Sequence, residues 1–88
     1  MRHLTVRMFG AFRELEPSGA WRIEIDEAAT VADVRRAFEQ QARARWGARF
    51  DPALLAASAF ASEREVLRAS DSVAGLDEVA VLPPVSGG

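Results

Sequence analysis

The apolar residues of this chain change their spacing once, near Thr30, and that change limits the fold more than any other feature. Before it they alternate. In "HLTVRMF" (His3–Phe9), Leu4, Val6 and Met8 fall on one face and Thr5, Arg7 and Phe9 on the other, as in a strand buried on one side. "WRIEI" (Trp21–Ile25) repeats the pattern with Trp21, Ile23 and Ile25 inward, and "EPSGA" (Glu16–Ala20) between them has the Pro and Gly of a turn. Together they predict a hairpin with a long loop. From Thr30 the period becomes three to four: Val31, Val34, Phe38, Ala42 and Trp46 define one face of a helix. Thr30 is its expected N-cap, Asp33 stands at the capping-box position, and Gly47 suits a left-handed residue that ends it. Arg35, Arg36, Glu39 and Arg43 fall on the opposite face and read as solvated, with partial Glu–Arg pairing.

Three shorter segments follow. "DPALL" (Asp51–Leu55) reads as a helical turn with Pro52 at its first position. "SAFASEREVLRASDSV" (Ser58–Val73) suggests two short strands about a polar turn near Ser62–Arg64. "DEVAVLPPV" (Asp77–Val85) reads as a last strand, with Val79 and Val81 on one face and Ala80 and Leu82 on the other. The expectation is an α+β chain: a mixed sheet of four to five strands with one main helix packed on it. Its order is that of a β-grasp (ubiquitin-like) fold, which also requires the last strand to run parallel to the first. Periodicity says nothing about that pairing. A single domain over residues 1–88, with an extended tail over 83–88, is expected.

Composition removes most chemistry. Cysteine is absent, which excludes disulfides, thiolate metal sites, a cysteine nucleophile and a β-grasp ferredoxin. All 11 basic residues are arginine, so no lysine is available for a Schiff base or a phosphate loop. The formal charge of −2 argues against a nucleic-acid binder. No apolar run approaches the roughly 20 residues of a membrane span, and no signal-peptide core opens the chain. A cytoplasmic domain binding no nucleic acid, membrane, metal or cofactor is expected. His3, at a strand start, has no expected role. Trp21, Phe38 and Trp46 read as core. Glu24, Asp26 and Glu27 look like a metal cluster only in sequence, since alternation and the turn separate their carboxylates.

The remaining chemistry is at the C-terminal "PPVSGG" (Pro83–Gly88). A terminal carboxylate is ionised at neutral pH, with a reference pKa near 3.5, and is a poor electrophile. Its oxygen can attack the α-phosphate of ATP on a partner enzyme, giving an acyl-adenylate whose carbonyl then accepts sulfur, an amine or a thiol. Gly87 and Gly88 leave that carbon unhindered and fit a channel that excludes branched side chains. Val85–Gly88 spans roughly 13 Å at about 3.3 Å per residue, and Pro83 and Pro84 hold the preceding chain extended. Alternation turns Phe9 and Leu82 away from the core near this tail. With Pro83, Pro84 and Val85, and with Phe60, they form the expected partner-binding set.

The sequence resembles the small, sulfur-carrying subunit of molybdopterin synthase over essentially its whole length. "DEVAVLPPVSGG" (Asp77–Gly88) is the most specific piece, and its Pro-Pro distinguishes it from the sulfur carrier of thiamine biosynthesis. "MFGAFRELEPSG" (Met8–Gly19) resembles the family's first strand and the loop after it, and "TVADVRRAF" the start of its helix. Leu76 stands where the family commonly has Gly, and Phe60–Asp71 is longer and more charged. The resemblance implies a non-catalytic sulfur donor in a sulfurtransferase. An adenylating (E1-like) enzyme would consume ATP to activate Gly88, and a sulfur donor would convert it to a thiocarboxylate. The tail would then enter the large catalytic subunit, whose residues transfer sulfur to a pyranopterin precursor of the molybdenum cofactor. Arg13 resembles the family's loop arginine, which would face an acidic partner residue. Two small subunits on a dimer of large ones are implied. A carrier for thiamine, cysteine or tRNA thiolation, and a non-covalent ubiquitin-like module, are the alternatives.

Overall fold

The computed structural model describes residues 1–85. Strand β1 (Arg2–Met8) and strand β2 (Ala20–Ile25) pair antiparallel, from Arg2 opposite Ile25 to Arg7 opposite Ala20. The inward residues are those the alternation selects: Leu4, Val6, Met8, Trp21, Ile23 and Ile25 are all buried. The connection is more ordered than the expected loop. β1 stops one residue before Phe9, and helix α1 (Gly10–Leu15) follows at once. Its one buried residue, Phe12, meets Phe38 edge-on at 5.7 Å and stacks on Trp46 at 6.1 Å. A helix of six residues shows too little of a 3.6-residue period to be read from sequence.

Helix α2 (Val31–Trp46) buries Val31, Val34, Phe38, Ala42 and Trp46, the predicted face. The Asp33 carboxylate accepts from the Thr30 backbone N–H at 2.9 Å and from its hydroxyl at 3.2 Å, satisfying a donor the helix start leaves free. Gly47 ends the helix at φ 56° as expected in sign, but its ψ of −126° lies outside the left-handed helical region. The chain leaves through a 3₁₀ turn, Gly47–Arg49. On the outer face Arg43 pairs with Glu39 and Arg36 with Asp33. Arg35 turns instead to the backbone, donating to the carbonyls of Leu55 at 2.5 Å and Ser58 at 2.9 Å.

Helix α3 (Pro52–Ala56) has the expected start: Asp51 accepts from the Ala53 N–H at 3.0 Å, and Pro52 occupies a position needing no N–H. Strands β3 (Ala59–Ala61) and β4 (Val66–Leu67) form the short hairpin about the polar turn. Strand β5 (Glu78–Leu82) is shorter than the expected Asp77–Val85, because Pro83 and Pro84 bring no N–H to a ladder. It pairs parallel with β1, Thr5 opposite Glu78 through Met8 opposite Val81, and antiparallel with β3. The order β2-β1-β5-β3-β4 is the mixed sheet of a β-grasp fold.

The core lies between one sheet face and α2, and the buried aromatics Phe12, Trp21, Phe38, Trp46, Phe50 and Phe60 dominate it. Trp21 approaches Trp46 at 4.7 Å and Phe38 at 5.2 Å between ring centroids. Phe60 corrects an expectation. Its partner in β5 is the buried Val81, it is 1% exposed, and its ring meets Phe38 edge-on at 6.4 Å. It packs the interior and offers no surface for docking. Among the described residues no helix is long and apolar enough to cross a membrane.

Candidate functional site

Parallel strands β1 and β5 end side by side, and that edge is where the chain departs toward residues 86–88. Continuing their register by two positions past Met8 and Val81 sets Gly10 beside Pro83. The two segments touch there. Gly10 has φ 56°, and a Cβ built on it would lie 2.9 Å from Pro83 Cγ, closer than real side chains pack. The absence of a side chain therefore serves twice, allowing the sharp turn from β1 into α1 and seating the proline ring against the backbone.

Around this contact lies an open, largely apolar cleft of about 650 Å³. Phe9, Leu54 and Leu82 form its walls, and Pro83, Pro84 and Val85 run along it. Phe9 is 43% exposed and Val85 93%. Residues so apolar and so open add free energy only when something covers them. Glu14, from α1, is the charged residue of the lining. The site is thus assembled from three separate stretches: the β1–α1 joint, one side of α3, and the end of β5.

The sequence-based set divides on this geometry. Phe9, Leu82, Pro83, Pro84 and Val85 come together, although Phe9 does so as the extended residue before α1 rather than as a strand residue. Phe60 is excluded by burial. Arg13 is exposed but does not line the cleft; its side chain lies over Gly19, where a Cβ would be 3.6 Å from its Nε. Gly87 and Gly88, assigned the chemistry from sequence, lie outside the described residues. Gly10, Ala11, Glu14 and Leu54 were not legible as site residues. Leu54 had a signal in the Leu54–Leu55 pair, since only one of two adjacent helical residues can face the core; Leu55 does, at 1% exposure.

Among the described residues that line the cleft, the Glu14 carboxylate is the one group that could act as a base or nucleophile. Among the described residues no group of three or more His, Asp or Glu is arranged to hold a metal. A smaller cleft of about 390 Å³, between the β3–β4 turn and the approach to β5, lies at the opposite end of β5 from the tail. What the arrangement can do is hold the start of the tail in one direction and offer an apolar surface beside it.

A family model described as the ThiS family matches residues 6–88. No curated protein gives a match. Among solved structures, the crystal structure of SAMP1 from Haloferax volcanii is similar at 28% identity and a TM-score of 0.73, covering 99% of this chain and all of that one. A crystal structure of H. volcanii small archaeal modifier protein 1 is similar at 24% identity and a TM-score of 0.68, over 97% of this chain and all of that one. The latter likeness bears on the fold alone.

Proposed function

The chain belongs to the ThiS family of ubiquitin-like sulfur carriers, and from that premise we propose that it is the sulfur-donating small subunit of a molybdopterin synthase. The observation that carries this reading is the course of Leu82–Val85, which leave the central strand β5 beside an apolar cleft and lead in sequence to Ser86, Gly87 and Gly88. Carriers of this kind work with adenylating enzymes of the ubiquitin-activating type. In the proposed sequence a carboxylate oxygen of Gly88 attacks the α-phosphorus of ATP and pyrophosphate departs. A sulfur donor then displaces AMP from the acyl carbon, leaving a thiocarboxylate. The large subunit receives the tail in its active site, and the sulfur passes to a pyranopterin precursor.

The geometry suits delivery. Pro83 and Pro84 restrict the chain before the tail, so fewer conformations are lost when a partner's channel takes it up. Phe9, Leu54 and Leu82 supply the apolar surface that holds each partner in turn, while catalytic groups come from the partners.

Intact mass tests this reading. After incubation with ATP, an adenylating enzyme and a sulfide source, one oxygen at the C-terminus is exchanged for sulfur, and the product supports pterin conversion when mixed with a large synthase subunit. A chain whose Gly88 is blocked as an amide yet still delivers sulfur would end the proposal. The likeness at 28% identity to SAMP1, a ubiquitin-like modifier, favours one second reading, in which the activated Gly88 carbonyl is passed to an amine of another protein. Covalent conjugates that survive thiol reagents would indicate it, and a free thiocarboxylate with no conjugates would not.

A further inference from the structure

The contact between Gly10 and Pro83 has a property that an ordinary packing contact lacks. Most crowded side chains relieve strain by changing rotamer. Pro83 cannot, because its ring is closed onto the backbone and fixes φ near −65°. A push on its Cγ that a flip of the ring pucker does not relieve moves the backbone, and the backbone at Pro83 is the root of the tail. Gly10 is equally tethered: it joins β1, buried through Met8, to α1, anchored by the buried Phe12. Both sides of the contact are therefore fixed to the core, and its 2.9 Å clearance for a Cβ leaves one way past. Neither residue is held there by the sheet ladder, whose last β1–β5 pair is Met8 with Val81.

We propose that Gly10 is a positioning residue: the seat of the Pro83 ring on its bare Cα sets the direction in which the tail leaves the body. The proposal rests on the tail-delivery reading for its functional consequence, though not for its geometry. Phe9, Leu54 and Leu82 create affinity for a partner, whereas Gly10 aims the chain that the partner must receive. An added methyl at position 10 turns Pro83, and with it Pro84 and Val85, leaving Phe9, Leu54 and Leu82 in place.

A four-member cycle tests this: wild type, Gly10→Ala, Pro83→Ala and the double variant. Alanine at 83 removes the Cγ that the new methyl would strike. The backbone strain of alanine at φ 56° is present with either residue at 83 and cancels in the cycle. Because the chain has no cysteine, two introduced thiols, Glu63→Cys and Val85→Cys, carry spin labels without competition. The pulsed electron resonance distance distribution in wild type is narrow. Gly10→Ala shifts it, and the shift is absent when residue 83 is alanine. A Gly10→Ala distribution that overlays wild type overturns the proposal. If Gly10→Ala does not fold, Pro83→Ala alone must broaden the distribution, and a narrow, unmoved one overturns it equally.

The same unlabelled variants, incubated with ATP, sulfide and an adenylating enzyme from the same organism, are read by mass for sulfur loading. Gly10→Ala lowers kcat about tenfold or more, since a misplacement near 1 Å can cost about a hundredfold, with KM within about twofold. Equal kcat for Gly10→Ala and wild type overturns the positioning role. A wild-type chain that is never loaded, while the distances move as stated, overturns the carrier reading and supports the geometric one.

Discussion

The guanidinium of Arg2 donates to the carbonyl oxygen of Leu76 at 2.7 Å, joining the first strand to the turn that feeds the last one. Its other terminal nitrogen donates to the carbonyl of Val73, also at 2.7 Å. The turn closes itself through the Leu76 N–H on Val73 at 3.0 Å, and Asp77 then enters the sheet by accepting from the Thr5 N–H at 3.0 Å. β5 lies between β1 and β3 and arrives after a stretch with no regular structure, so its register needs a fixed entry point. The planar fork of one arginine supplies it. Arg2→Ala is expected to cost about 2 kcal/mol, the range for hydrogen bonds to a charged group, and to raise amide exchange at Thr5 and Leu76. Arg2→Lys recovers only part, because an ammonium on a flexible stem lacks the fork. Equal denaturation midpoints for all three chains would show that the register is set elsewhere.

Phe60 and Phe9 should behave as opposites. Phe60 sits under the Arg35 guanidinium, 5.0 Å from ring centre to Cζ, and inside the aromatic core. Phe60→Ala removes that packing and is expected to cost about 3–5 kcal/mol, a large share of the stability of a small domain. Phe9→Ala, at an exposed position, should lie within about 0.5 kcal/mol of wild type. Urea denaturation of the two variants decides it. Comparable losses would mean that Phe9 is structural and leaves the docking set.

That contrast shows what the sequence carried and what it did not. Alternation and the three-to-four period identified the faces of β1, β2 and α2 correctly, because each element holds at least three inward residues and so a full repeat. Phe60 belongs to a strand of three residues, where inward and outward cannot be told apart without the partner strand. The parallel pairing of β1 with β5 joins residues more than 70 apart in sequence, and no local pattern records it; it was expected only from the order of elements. Gly10 escaped notice for the same reason, since its meaning depends on Pro83 lying beside it. Pro83, Pro84 and Val85 were legible from their place directly after the last strand, whereas Gly87 and Gly88 lie outside the described residues.

Two carboxylates make stability depend on acid. The Thr30 backbone N–H does most to hold Asp33 below its ordinary value; burial opposes it and comes second, ahead of the further lowering by the Thr30 hydroxyl and Arg36. The Ser18 hydroxyl, 2.7 Å away, does most to lower Glu16. A group lowered in the folded chain binds fewer protons there than in the unfolded chain, so stability rises with pH through this range. The contribution is complete above the ordinary values of 3.8 for Asp33 and 4.5 for Glu16, and it is lost as pH falls below them. Melting temperature should therefore fall between about pH 5 and pH 2. Asp33→Asn, which keeps an acceptor but no charge, should make that fall shallower. An unchanged slope in Asp33→Asn would assign the acid sensitivity to other groups.

The docking surface can be separated from the tail it surrounds. Phe9, Leu54 and Leu82 line one cleft but come from three separate stretches, the β1–α1 joint, α3 and β5. A charge placed on Phe9, the exposed one of the three, stays hydrated in the free protein and must be desolvated under a partner. Phe9→Asp should leave the melting temperature nearly unchanged while weakening binding to the adenylating enzyme by about 2 kcal/mol, roughly thirtyfold. Leu54→Asp, at a half-buried position packed against the core, should weaken binding and lower the melting temperature as well. Arg13→Ala, outside the cleft, should change the affinity by less than about threefold, the usual size of an exposed charge contact. Titration calorimetry with an adenylating enzyme that loads the wild-type chain gives all three values. If Arg13→Ala proves the most damaging, the partner approaches over the β1–β2 connection, and the apolar cleft serves to stiffen the exit of the chain without being covered.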